Sequence, residues 1–464
     1  MLRTDDVRTP GFKLFLTIVV GLVLTIPLFS IWLLVYDRQT QQEEATNSIT
    51  AGWGGPQVMA GPVLDIPYRT NATETVVQNG QSVTRTNPVT KELTISPDVV
   101  AVRTDLRPDV RKRSIYEAVV YDAAVTGTAR FALPPDLARS GVDPAQMDMS
   151  RAELRFGLSD PRGLGANPSV TAAGRALRML PGGGSAGGRG FFAWLDASGI
   201  ASLPLVVAFT YNFRGNASLS FAPQAGDTHW VVKSSWASPS FGGDFLPNAD
   251  SVRNDGFDAS YRIGNLALGR SLLTTGDPGA SNLADKVPSP DSSLRQHVGD
   301  DNVQAASISL IQPVDLYSQV NRATKYGFLF IGFTFLALLM FDVIGGVSVS
   351  AVEYLLMGAA LILFFVLLLA FAEVIGFTPA YVVASAAIAG LNTAYSAAVL
   401  ASWRRASFIG GLLVGLYAVL YILLSLEAYS LLIGALLLFA ALAAVMYATR
   451  RIDWGARSTR PTAA

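Results

Sequence analysis

The chain has 464 residues, half of them hydrophobic, and its 35 basic side chains are balanced by 35 acidic ones. Zero net charge argues against a nucleic-acid partner, which needs a concentrated basic surface. With no cysteine, the chain has no disulfide framework, thiolate zinc site or cysteine nucleophile, and its two histidines, His229 and His297, cannot build a His-rich metal centre.

The first element is an uncharged apolar run, Leu14–Tyr36. A spanning helix needs about 20 mostly apolar residues, and this run exceeds that. A signal peptide would have a shorter apolar region and a small-residue cleavage site, whereas Tyr36, Asp37 and Arg38 follow here. An uncleaved anchor is therefore favoured, with residues 1–13 before it. The polar stretch 37–51 continues it as a stalk helix, ended by Gly52, Gly54, Gly55 and Pro56.

From there the signals are strand-like. Leu93–Ile95, Ser114–Thr128, Glu153–Leu158, Leu205–Phe213 and Trp230–Ser235 alternate with period two and are rich in Val, Ile, Thr and aromatics. Turn clusters at Asn79-Gly80, Pro134-Pro135, Pro181–Gly184 and Gly226-Asp227 separate them. The pattern predicts a β-rich, sandwich-like domain over residues 37–325, without the intervening helices of a doubly wound parallel sheet. A two-lobed domain divided near Gly182–Gly190 is an alternative. Leu272–Asp301, rich in Ser, Asp, Gly and Pro, reads as a long loop.

Five further apolar runs close the chain over 326–449: Tyr326–Phe341, Tyr354–Phe371, Pro379–Leu400, Phe408–Leu426 and Tyr429–Ala448. The expected fold class is thus a membrane protein with a six-helix transmembrane region, one span N-terminal and five C-terminal, around the β-rich domain. Short-loop Lys and Arg stay in the cytoplasm. Six spans place Arg3, Arg8 and Lys13, the Arg404-Arg405 pair, and the tail 450–464 with Arg450, Arg451, Arg457 and Arg460 on one side. Both termini are then cytoplasmic and the β-rich domain is periplasmic. The loop Asp342–Glu353, which falls inside without a basic residue, is the exception.

Several stretches together resemble the CreD family of bacterial inner-membrane, cell-envelope-integrity proteins. They are Gly61–Tyr68, Trp236–Pro247, Pro313–Tyr317 running through Arg322–Gly327, Glu373–Phe377 and Met446–Trp454. The resemblance covers nearly the whole chain. It implies a protein of the inner membrane linked to envelope integrity and to a two-component sensing system, and it supplies no reaction. The family pattern often has Pro-His at Ala237-Ser238, His at Val374 and Asp at Ala428. These departures argue against histidine catalysis.

Candidate recognition or coupling residues fall in three places. Trp236, Pro239, Phe241, Gly243, Phe245 and Pro247 form an aromatic, Gly- and Pro-rich loop that either presents rings to a partner or plugs the domain's own core. Arg322, Lys325 and Tyr326 stand where the outer domain enters the bilayer, as anionic-lipid contacts or interfacial anchors. Glu373, with Glu427 on the outer side and Asp342 and Glu353 on the inner, lies at a span end that water reaches. Asn392, Ser385 and Thr393 are midspan polar groups, of the kind that hydrogen-bond between helices. No phosphate-binding loop, His-Glu-x-x-His or Gly-x-Ser-x-Gly motif occurs, so no catalytic residue, metal or cofactor is expected. The function expected is a non-catalytic envelope-integrity or stress-response protein that senses or binds an envelope component. The alternative is a transporter or lipid-handling protein working through the bundle. Membrane lipids and another membrane protein are the partners this allows.

Overall fold

A computed structural model describes residues 10–450, without 79–80, 114–115, 135–136, 186–188, 276–303, 311–315, 344–348 and 426–429. Several expected features therefore lie outside the described residues: the Asn79-Gly80 turn, most of Leu272–Asp301, His297, Glu427, the start of the Pro313–Tyr317 motif, the basic residues Arg3 and Arg8, and the tail beyond Arg450. Two compact units make up the chain, Glu44–Pro313 and the pair of segments Met1–Glu43 and Val314–Ala464.

The helices are α1 (Pro10–Ala51), the short α2 (Asn265–Leu268), α3 (Leu316–Lys325), α4 (Gly327–Val343), α5 (Ala351–Ile375), α6 (Phe377–Val399), α7 (Trp403–Ser425) and α8 (Ser430–Thr449). Among the described residues, five stretches are long and apolar enough to cross a membrane: Gly11–Ala51, Leu316–Val343, Ala351–Ile375, Phe377–Val399 and Trp403–Leu424. At the position expected for a sixth span, α8 is a further helix of 20 residues without a charge. Helices are what these runs must form, because hydrocarbon offers no partner for a free N–H or C=O. The expected span at Tyr326 is preceded by α3, an amphipathic helix whose polar sequence hid it, and Tyr326 sits at the turn between α3 and α4.

The span helices meet through aromatic and small residues. Phe330 of α4, Phe364 of α5 and Tyr417 of α7 converge, with ring centroids 4.8 Å and 4.6 Å from that of Tyr417. The Tyr381 hydroxyl of α6 donates to the Tyr417 carbonyl at 2.7 Å. Gly358 of α5 lets Leu24 of α1 and Phe335 of α4 approach so closely that a Cβ there would collide with both. Small residues at crossings serve this purpose where hydrophobic force between helices is lacking.

The strands are β1 (Gln57–Gln78), β2 (Gln81–Ile95), β3 (Val99–Arg113), β4 (Tyr116–Phe131), β5 (Ala152–Leu158), β6 (Ser169–Ala172), β7 (Arg175–Ala176), β8 (Met179–Pro181), β9 (Gly190–Leu195), β10 (Leu205–Asn216), β11 (Ser218–Ala222), β12 (Asp227–Ser234), β13 (Pro239–Gly243), β14 (Ala249–Arg253), β15 (Gly256–Gly264), β16 (Leu273–Thr275) and β17 (Ala306–Leu310). One sheet has the order β13-β17-β11-β1-β5-β9-β8, with β2 on β1 and β16 on β2; the other runs β14-β15-β12-β3-β4-β10-β6-β7. Pairing is antiparallel except for β1 with β11 and β3 with β12. The fold is thus β-rich and sandwich-like. One hydrophobic core draws on both sheets, so the division near Gly182–Gly190 does not produce two lobes. Phe156 of the first sheet packs edge-on to Phe209 of the second at 5.3 Å, and Phe221 meets the fully buried Trp230 at 5.5 Å. β16 begins inside the segment expected to be a loop.

A single carboxamide ties the start of β1 into both sheets. Gln57, buried, donates through Nε2 to the carbonyls of Asp160 (3.0 Å) and Arg214 (2.9 Å). Its Oε1 accepts from the Ser159 hydroxyl (3.2 Å) and the Asp160 N–H (3.1 Å). All four hydrogen-bonding positions of the amide are used. Gly163 makes room, since a Cβ there would strike the Arg214 carbonyl and crowd Gln57 Nε2. Gln57→Glu sets a carboxylate against two carbonyl oxygens and forfeits both donated bonds. The expected loss is about 3 kcal/mol, read as a lower thermal midpoint by tryptophan fluorescence of the purified protein.

Candidate functional site

The charged groups that the fold brings together include three with largely or partly buried members, one on the β unit and two among the span helices. On the first sheet, Leu154 and Phe156 of β5 enter the core, so Glu153 and Arg155 stand on the opposite, outer face. The register sets Asp65 of β1 beside Glu153, Glu153 beside Trp194 of β9, and Arg155 beside Phe192. Arg155 is the hub. Its guanidinium lies 2.6 Å from Asp65, 2.8 Å from Glu153 and 3.3 Å from Glu92 of β2. Three carboxylates thus share one cation. Trp194, 48% exposed, makes a T-shaped contact with Phe192 at 5.8 Å on the same face.

Asp65 is the unusual member. It is only 5% exposed, and its Oδ1 has no hydrogen bond of good geometry, although the Thr94 hydroxyl lies close enough to favour the ionised form. Burial outweighs both Thr94 and Arg155, and the charges of Glu92 and Glu153 add to it, so the carboxyl is raised from 3.8 to about 6. For Arg155 the balance is reversed: burial opposes its charge, but Asp65, Glu153 and Glu92 prevail and raise its pKa.

The other two clusters lie among the span helices. Lys13 of α1 meets Asp342 of α4 at 2.6 Å, and Asp342 is 3% exposed. The expectation that water reaches this span end is therefore corrected for Asp342, which is buried against its cation. Arg38 of α1 lies 3.8 Å from Glu373 of α5, whose Oε1 also accepts from the Tyr317 hydroxyl of α3 at 3.2 Å. Along α1 the two ion pairs stand about 37 Å apart at 1.5 Å per residue, slightly more than a hydrocarbon core of about 30 Å. Glu353 closes a capping box with Ser350 at the start of α5. Lys325 ends α3, exposed, and Arg322 lies half-buried one turn before it.

Trp236–Pro247 is not simply a loop. Pro239–Gly243 is β13, the edge strand paired with β17. Trp236, Phe241 and Phe245 pack against the domain's own core, and Phe241 meets Phe257 edge-on at 5.7 Å. Gly243 has φ +85°, and a Cβ there would collide with the Ala305 carbonyl. Pro247 is half-buried after the exposed Leu246. His229 lies 3.1 Å from Asp227 on β12. Among the described residues no group of three or more His, Cys, Asp or Glu is arranged to hold a metal ion. Sequence reasoning did not single out Asp65, Arg155, Gln57 or Arg38. Asp65 lies within the Gly61–Tyr68 motif, and a carboxylate alternating with Leu64 and Ile66 is the signal that was available.

A family model described as inner membrane protein CreD matches residues 9–455. The chain belongs to the CreD family. It is 30% identical over 439 residues to the inner membrane protein CreD of Escherichia coli (strain K12), a match covering 94% of this chain and 92% of that protein. With the apolar helices, membership makes the chain a multi-pass inner-membrane protein.

Two outcomes follow. Asp65 binds its proton more tightly folded than unfolded, so its stabilising contribution is complete below pH 3.8 and is lost as pH rises through about 6. Asp65→Asn should therefore gain on the parent by roughly 2 kcal/mol between pH 4 and pH 7, measured as the pH dependence of the difference in thermal midpoint. For the Lys13–Asp342 pair, Lys13→Met leaves Asp342 buried and unpaired and should cost roughly 3 kcal/mol. Adding Asp342→Leu should recover most of that loss in a double-mutant cycle.

Proposed function

We propose that this CreD-family chain is a non-catalytic inner-membrane envelope protein whose β unit lies in the periplasm and binds an envelope component, with both termini in the cytoplasm. Orientation is argued from Lys and Arg: Arg3, Arg8 and Lys13, Arg404 and Arg405, and the tail from Arg450 share a side when α8 completes an even number of crossings. The observation that carries the binding role is the outer face of the first sheet, where Arg155 is ringed by Asp65, Glu92 and Glu153 beside the exposed Trp194. Carboxylates accept hydrogen bonds from hydroxyls, and an indole covers an apolar ring face. Together they suit a glycan of the cell envelope.

A second reading, transport or lipid handling through the bundle, has one observation in its favour. Asn392 Nδ2 and Ser396 Oγ, one turn apart on α6, are buried and make no hydrogen bond among the described residues. A transport path needs midspan polar groups of this kind.

The test uses the full-length protein in detergent and purified peptidoglycan sacculi. Cosedimentation is expected for the parent, with a roughly tenfold loss of retention for Trp194→Ala and for Glu153→Gln, since each removes a contact worth about 1.4 kcal/mol. No retention of the parent, or equal retention of all three, overturns the glycan reading. A reporter fused near residue 200 that behaves as cytosolic overturns the orientation.

A further inference from the structure

The outer half of the spanning unit holds a groove of about 550 Å³, lined by Thr25, Ile26, Leu28, Phe29 and Trp32 of α1 and by Thr324 and Lys325 at the end of α3. Its volume falls in the range of small-ligand sites, about 300–1,000 Å³. The walls are apolar and aromatic. Phe29 stacks on Trp32 at 5.5 Å, and Phe29 remains 58% exposed. The two hydroxyls are already used as donors within their own helices, Thr25 to the Leu22 carbonyl and Thr324 to the Val320 carbonyl. Lys325 is thus the lining group left to meet an anion.

The level of Lys325 is what makes it unusual. Tyr317, at the other end of the same helix, is level with Glu373 and Arg38 through its hydrogen bond to Glu373. Lys325 lies about 12 Å further along α3 at 1.5 Å per residue. On the other side Gly327, two residues past Lys325, lies against Leu28, which is well within the apolar run of α1. The two ion pairs bracket slightly more than the hydrocarbon thickness, so the Lys325 backbone sits inside the apolar layer. An ammonium there is costly without a partner or a route to the headgroups. Among the described residues no carboxylate pairs with it.

We propose that this groove is a binding site for one anionic phospholipid of the outer leaflet, its acyl chain lying along Ile26, Leu28, Phe29 and Trp32 and its phosphate meeting Lys325. A bilayer lipid supplies both things the site lacks, an apolar chain to cover the exposed rings and a negative charge anchored at the height to which a lysine stem extends. A zwitterionic lipid offers the same chain, but its phosphate carries its own cation, so the preference should be for net negative headgroups.

The experiment is native mass spectrometry of the full-length protein in mild detergent, titrated with dioleoyl-phosphatidylglycerol or dioleoyl-phosphatidylcholine. The parent should bind phosphatidylglycerol about five- to tenfold more tightly. Lys325→Gln should lower that affinity to the phosphatidylcholine value, and Lys325→Arg should keep most of the preference. Phosphatidylglycerol with brominated chains should quench the part of the fluorescence that Trp32→Phe removes, at lipid ratios where the brominated phosphatidylcholine does not. Equal binding of the two lipids by the parent, an unchanged preference in Lys325→Gln, or no selective quenching of Trp32 overturns the site.

Discussion

Hydrocarbon gives an unpaired charge nowhere to go, and the placement of the charged residues in the spanning unit follows from that. Every described span is a helix, because only intrasegment hydrogen bonds satisfy the backbone there. Four charged side chains near the span ends are paired across helices, Lys13 with Asp342 and Arg38 with Glu373. Such pairs add little net stability by themselves, but breaking one leaves an uncompensated charge. They therefore fix register: α1 cannot slide against α4 or α5 without separating a cation from its anion. Packing between the pairs is left to aromatic rings and to close approaches such as that at Gly358.

The β unit is organised by the ordinary aqueous rule, with two sheets burying one face each against the other. Its difficulty lies at the edges of that core, where a strand must begin without leaving polar groups stranded. Gln57 handles this at the start of β1 by satisfying carbonyls from two other segments while its own amide is fully bonded. Tyr121 serves similarly nearby, its buried hydroxyl donating to the Ser218 carbonyl at 2.7 Å. Side chains that reach main-chain groups of distant segments tie β1, β5 and β11 of one sheet to β4 and β10 of the other, with which they share no ladder.

The spans were legible because length and charge-free composition are enough to define them: Tyr354–Phe371 falls within α5 and Phe408–Leu426 nearly coincides with α7. Strands with clean alternation, such as Leu205–Phe213, were legible for the same kind of reason. β1 was not, since Gly61, Pro62 and Pro67 interrupt it and read as turn residues, and its pairing with β5 shifts register between Ala60 and Val63. β3 was hidden by Pro108 and its run of charges. β13 looked like a loop because Pro239, Gly242 and Gly243 dominate it, yet an edge strand tolerates such residues where a central one would not. Of the candidate residues, the aromatics of Trp236–Pro247 turned inward, and Glu373 acquired Arg38 and Tyr317 as neighbours. Contacts this remote in sequence, over three hundred residues for Lys13 and Asp342, have no local signature.

Asp65 in the β unit and Lys325 in the spanning unit are charges left incompletely compensated among the described residues. Asp65 is buried with one oxygen unbonded beneath an arginine already shared by two other carboxylates. Lys325 stands in an apolar groove without a carboxylate among the described residues. Neither arrangement is what stability alone would select. A valine at 65 would pack between Thr94 and Glu153 without a desolvation cost, and a leucine at 325 would extend the lining of the groove. Gln57 shows the opposite arrangement, with every polar position of its buried side chain bonded. The contrast makes these two charges the places where an interaction with something outside the chain would restore the most free energy. It also separates them from the aromatic segment Trp236–Pro247, where Trp236, Phe241 and Phe245 already pack against the domain's own core.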